Sequence, residues 1–244
     1  MAWLTVLGIP AGVYVASIVA LISNVAGAKQ NPFVLLAVLM LTMGIYMFHR
    51  TAIVCVEPMQ ARHRISVSHR RLLLSMAVFF VVASAFLFVL ERPAWAGLVF
   101  LSVVGIVVYG RTTCISPVRT RTYIKPFAVG SAIAVFGWVL NDFSMTPLAL
   151  LAFVLLCSAD ALLCDLVDRA YDAASGCTTL ASKFGAQKTW CIAGALYIVA
   201  IVCFNSPVGW FFMLLFPLPI VWRRGTRTII DVRPLFVLLL AYSL

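Results

Sequence analysis

Asp160-Ala-Leu-Leu-Cys-Asp165-Leu-Val-Asp168-Arg-Ala-Tyr-Asp172-Ala-Ala-Ser-Gly176-Cys-Thr-Thr179-Leu180 closes one hydrophobic segment of the chain and decides how the rest is read. The chain holds only eight acidic residues, and half of them fall between residues 160 and 172. On a helix, Asp165, Asp168 and Asp172 stand at i, i+3 and i+7 and project from one face. Three carboxylates on one stripe repel each other at neutral pH unless a cation neutralises them. Mg²⁺, a hard ion liganded by oxygen and able to bridge to phosphate, is the expected partner.

The surrounding sequence says where this cluster sits. Hydrophobic residues make up 64% of the chain and charged residues 11%, against about 45–50% and about 25% in ordinary globular proteins. That balance belongs to an all-α, polytopic membrane protein. Apolar runs of roughly 20 residues, some shorter or tilted, are read at 3–23, 32–56, 72–90, 94–109, 126–140, 147–163, 189–204, 208–221 and 234–244. They make nine spans in one transmembrane unit covering 1–244. Residues 1–26 have no basic stretch ahead of the apolar run, so they are read as the first span and not as a signal peptide.

With nine spans and the N-terminus inside, the even-numbered loops are cytoplasmic. Those loops collect sixteen of the eighteen Lys and Arg residues, and only Lys29 and Arg92 fall on the other side. This positive-inside asymmetry places the aspartate cluster at the cytoplasmic face. The formal charge of +10 is then topological charge with attraction to anionic membrane lipids. Nucleic acid is not expected as a partner, because no soluble basic domain exists to bind it. The seven cysteines form no CxxC pair and read as small hydrophobes. His63 and His69, in a run with Arg62, Arg64, Arg70 and Arg71, read as a solvated basic loop with no zinc-type ligand set.

The segment from Asp165 to Gly185 resembles the second aspartate-rich motif of the UbiA-type intramembrane prenyltransferases. That pattern, D-x-x-D-x-x-x-D followed by x-x-x-G-x-x-T-L and a later glycine, is met by Asp165, Asp168, Asp172, Gly176, Thr179, Leu180 and Gly185. The resemblance implies a nine-helix bundle with a cytoplasm-facing cavity. A looser likeness lies after the fourth span, where Arg119, Arg121 and Lys125 stand in a basic loop of the kind that meets diphosphate in the family. The departure is at the end of the second span. There the family carries N-x-x-x-D-x-x-x-D, and this chain reads Tyr46-Met-Phe-His49-Arg50-Thr-Ala-Ile-Val-Cys-Val-Glu57. Glu57 is the only carboxylate, and His49 cannot replace an acid as a Mg²⁺ ligand without changing the metal site.

What the resemblance implies is transfer of a polyprenyl group from its diphosphate to a lipophilic, usually aromatic, acceptor inside the membrane. Asp165, Asp168 and Asp172 would hold one Mg²⁺ at most. Arg50, Lys125, Lys183, Arg119 and Arg121 would contact the diphosphate. The apolar helix walls would shield the allylic cation from water. Two alternatives share the fold: a terpene cyclase with no external acceptor, and a non-catalytic protein that binds a prenylated lipid, quinone or pigment or serves a membrane complex. Individual residues keep plainer readings as well. Asp160 either faces a polar cavity or pairs with a loop arginine. Lys125 is either a diphosphate contact or an interface anchor. Gly176 and Thr179 also suit helix caps.

Overall fold

Apolar runs punctuated by Pro, Gly and short polar turns fold as helices in the computed structural model, which describes residues 2–29, 31–52, 57, 59–110, 122–204 and 226–242. The helices are α1 (Ala2–Val6), α2 (Ile9–Val25), α3 (Pro32–Arg50), α4 (Ala61–Ser68), α5 (Arg70–Glu91), α6 (Ala96–Gly110), α7 (Ile124–Leu140), α8 (Pro147–Ala174), α9 (Leu180–Phe204) and α10 (Thr226–Tyr242), with a 3₁₀ turn at Pro93–Trp95. No strand occurs among the described residues. Helices α3, α5, α8 and α9 are long and apolar enough to cross a bilayer, and α2, α6 with its preceding turn, and α7 are shorter apolar helices. The span expected at 208–221 lies outside the described residues.

Burial is inverted relative to a water-soluble protein. Phe79, Val82, Phe86 and Leu90 of α5, Phe100 and Leu101 of α6, and Ile198 and Val202 of α9 face outward, whereas Asp160, Asp172, Lys125 and Arg233 are buried. Water would penalise that outer surface, but lipid does not. Intramembrane charges then turn inward and pair. Helix α2 packs against α3, α7 and α10, while α8 packs against α7, α9 and α10. The largest core cluster runs between these elements through Ile18, Leu21, Phe153, Leu156, Leu163 and Tyr197.

The helix ends follow from local chemistry. Asn31 caps α3 by accepting from the Phe33 N–H at 2.9 Å, with Pro32 as the first helical residue. Thr146 caps α8 by accepting from the Ala149 N–H at 3.3 Å, again ahead of a proline. Both are sites where the side chain replaces a missing helical acceptor. Arg92 and Asp142 clasp the end of α5 to the α7–α8 turn, and this hydrogen-bonded pairing raises the Arg92 pKa above its ordinary value.

The structure corrects four expectations. The first span is two helices, α1 and α2, broken at Gly8, whose φ is +72°. A Cβ at Gly8 would stand 2.9 Å from Tyr46 Cβ, so both the backbone and the space require glycine. The sixth span does not end at Leu163, because α8 continues unbroken to Ala174. The run expected to be a solvated loop contains α4, whose Arg62 and His63 are buried. The last helix begins at Thr226, not at Pro234, which lies inside it. Arg233, counted above as a loop cation, is therefore within a helix and 1% exposed.

The crossing of α7 and α8 sets the geometry of the site. A Cβ at Gly130 would meet Ser158 Oγ and stand 2.6 Å from the Val154 carbonyl oxygen and 2.7 Å from Ser158 N. Because backbone atoms cannot give way, Gly130→Ala forces the helices apart and destabilises the bundle by about 1–3 kcal/mol. Thermal unfolding of the purified chain in detergent checks this, and an unchanged midpoint would contradict it.

Candidate functional site

Continuation of α8 beyond Leu163 carries the aspartate stripe out of the apolar core on a rigid helix. The helix ends in a Schellman motif. Cys177 N–H donates to the Asp172 carbonyl at 2.8 Å and Gly176 N–H to the Ala173 carbonyl at 3.3 Å, with Gly176 at φ +77°. Thr179 then starts α9: its Oγ1 accepts from Ser182 N–H at 3.2 Å while its own N–H donates to Ser182 Oγ at 2.9 Å. Gly176 and Thr179 thus serve as the caps that their residue types suit. Gly185 lies within α9 at φ +81° and kinks it.

Each aspartate of the stripe meets a cation of the chain itself. Lys125, in the first turn of α7 and only 8% exposed, places Nζ 2.5 Å from Asp165 Oδ1 and 3.6 Å from Asp172 Oδ2. Asp168 pairs with Arg62 of α4. Gln60, just before α4, donates to the Val167 carbonyl at 3.2 Å, and the His63 ring packs on Tyr171 with centroids 4.0 Å apart. Helix α4 is thereby docked on α8 beside the stripe. Bringing these cations up offsets the mutual repulsion of the carboxylates along the stripe.

The end of α3 meets the end of α6. The His49 ring lies 5.9 Å from that of Tyr109 at the end of α6. Arg50 is 6% exposed; it donates to Tyr46 Oη at 2.6 Å and lays its guanidinium over the same ring at 4.8 Å.

The remaining expected residues are elsewhere. Glu57 is exposed, accepts from Met59 N–H at 2.7 Å and stands 3.7 Å from Arg64, a solvated pair worth little. Lys183 is beside Tyr123, 3.5 Å from its hydroxyl, and over the Tyr123 and Phe184 rings. It does not join the aspartates. Arg119 and Arg121 lie outside the described residues.

Asp160 forms a separate buried centre deeper in the bundle. It pairs with Arg233 of α10 and accepts from Tyr14 Oη of α2 at 2.8 Å and from Tyr197 Oη of α9 at 2.7 Å. The Arg233 guanidinium also lies 4.8 Å from the Tyr197 ring centroid. One carboxylate on α8 therefore ties together three other helices.

As oxygen donors, Asp165, Asp168 and Asp172 suit Mg²⁺, but their arrangement does not. Lys125 holds carboxylate oxygens of Asp165 and Asp172, and Arg62 holds one of Asp168. Among the described residues no three His, Cys, Asp or Glu side chains converge as a metal ion would require. The site as folded does not fit a resident divalent ion.

Sequence reasoning missed Arg62, Gln60, Tyr109, Tyr14, Tyr197 and Arg233. A polar face on Arg62, His63 and Ser66 was the available signal for α4, but hydropathy assigns such a run to water.

The fold has a known counterpart. The chain is similar to the solved apo structure of a UbiA homolog from Aeropyrum pernix K1, with a TM-score of 0.69 over 96% of each chain at 11% sequence identity. At that identity the likeness establishes the fold alone, a UbiA-type helical bundle. No protein-family model matches the chain, and no curated protein matches it.

Proposed function

We propose that the chain transfers a polyprenyl group from its diphosphate to a lipophilic, aromatic acceptor within the membrane. One observation carries this reading. Lys125, Arg62 and the aspartate stripe form a charged cluster at the end of a helix whose other half runs through an apolar core. An amphiphile with a polyanionic head and a long hydrocarbon tail matches that layout, and the UbiA-type fold supports it. In the reaction the allylic C–O bond breaks and the electron pair leaves with pyrophosphate. An acceptor ring carbon then bonds to the allylic carbon and loses its proton. Lys125 and Arg50 would stabilise the leaving charge, and the helix walls would keep water from the cation.

His49-Arg50 in place of acids favours a second reading, a protein that binds a prenylated lipid or quinone, alone or in a membrane complex, without turnover. Incubating the purified chain with polyprenyl diphosphates of several lengths and an aromatic acceptor, with and without Mg²⁺, separates the two. Pyrophosphate release with a prenylated product is expected. Binding without release would establish the second reading, and absence of both would remove the two together.

A further inference from the structure

Resting on the diphosphate reading above, we infer that the counter-cations of the aspartate stripe are built into the chain, so that a polyprenyl diphosphate binds here without a divalent metal. Mg²⁺ demands near-octahedral oxygen coordination and gives up its water reluctantly. Lys125 instead approaches two carboxylates at once, 2.5 Å from Asp165 and 3.6 Å from Asp172, in a pocket that leaves it 8% exposed. An ammonium so placed screens the two acids from each other, as a bridging ion would. Arg62 does the same for Asp168, and α4 is held in place for it by Gln60 and by His63 on Tyr171.

Charge balance leads the same way. Lys125 pairs with Asp165 and Asp172, and Arg62 with Asp168, so each acid of the stripe has a cation beside it. A divalent ion would have to displace Lys125 or Arg62 and leave a buried cation without its carboxylate, which is unfavourable. An incoming diphosphate would draw Lys125 and Arg62 onto its own oxygens, with the aspartates acting as placeholders that keep those cations aimed at the site.

The aspartates then have an effect opposite in sign to that of metal ligands. Removing Asp165 frees Lys125 for phosphate and takes away one repelling charge. Binding of geranylgeranyl diphosphate to the full chain in lipid nanodiscs, titrated in EDTA and in excess Mg²⁺, tests this. Wild-type affinities in the two buffers are expected to agree within about threefold, and Asp165→Asn should bind in EDTA as tightly or up to about tenfold more tightly, the scale of one charge contact. Asp172→Asn should act in the same direction and covers the case in which Asp165→Asn folds poorly. If EDTA abolishes wild-type binding and both variants lose it in Mg²⁺, the acids are metal ligands; the inference is overturned while the proposed reaction stands. If no form binds the diphosphate in either buffer, both readings are overturned.

Discussion

Asp160→Ala is expected to destabilise the bundle by about 3–5 kcal/mol, because it strands a buried guanidinium. Arg233 is 1% exposed, and among the described residues its Nε and Nη1 have no hydrogen-bond partner even with Asp160 in place. Removing the carboxylate also leaves the Tyr14 and Tyr197 hydroxyls without the acceptor they share; each lost bond to a charged group adds about 1.5–3 kcal/mol when considered singly. These costs overlap, so they do not add. The double variant Asp160→Leu with Arg233→Met removes both charges and should regain most of the loss, since apolar replacements of a buried pair are often neutral. Thermal unfolding of wild type, Asp160→Leu, Arg233→Met and the double variant in one detergent measures the coupling. A loss in the double variant equal to the sum of the two single losses would show that the pair does not hold α10 to α8.

The helical membrane architecture was legible because it rests on composition and run length, which need no partner information. The stripe of Asp165, Asp168 and Asp172 was legible because helical periodicity alone puts them on one face. What faces the stripe was not. Asp168 and its partner Arg62 lie 106 residues apart in sequence, and hydropathy sends a basic run to water whether or not a carboxylate waits nearby. Lys125 was named, but as a substrate contact or an interface anchor and not as the ion-pair partner of Asp165 and Asp172.

Two local rules misled at particular residues. The apolar run begins at Pro234, so the last span was started there and Arg233 was left in a loop. Gly8 inside an apolar run looked tolerable, yet it breaks the run because Tyr46 presses against it. In both cases tertiary packing overrode a rule that considers only neighbours in sequence. Asp160 divides the other way. An acid in a span signals a buried polar partner by its cost alone, and the alternative of pairing with an arginine was correct in chemistry while wrong in the location of that arginine.

Lys125→Met is the variant that should most affect function. It deletes the cation between Asp165 and Asp172 and leaves two buried carboxylates facing each other. With its leaving-group contact gone, pyrophosphate release should fall by about 10²–10³-fold, as is typical when one preorganised charge is removed from a transition state. The same deletion vacates the position that excludes a divalent ion, so the residual reaction should become dependent on Mg²⁺ in this variant, unlike in wild type. Lys125→Arg retains the charge but spreads it over a planar fork that cannot sit between two acids in the same way. It should therefore retain metal independence with a smaller loss of rate. Measuring pyrophosphate release by the three proteins across a Mg²⁺ titration separates the possibilities. Wild-type-like rates in Lys125→Met would show that this lysine only anchors α7 at the membrane boundary, and a Mg²⁺ requirement already present in wild type would return the aspartate stripe to the role of metal ligands.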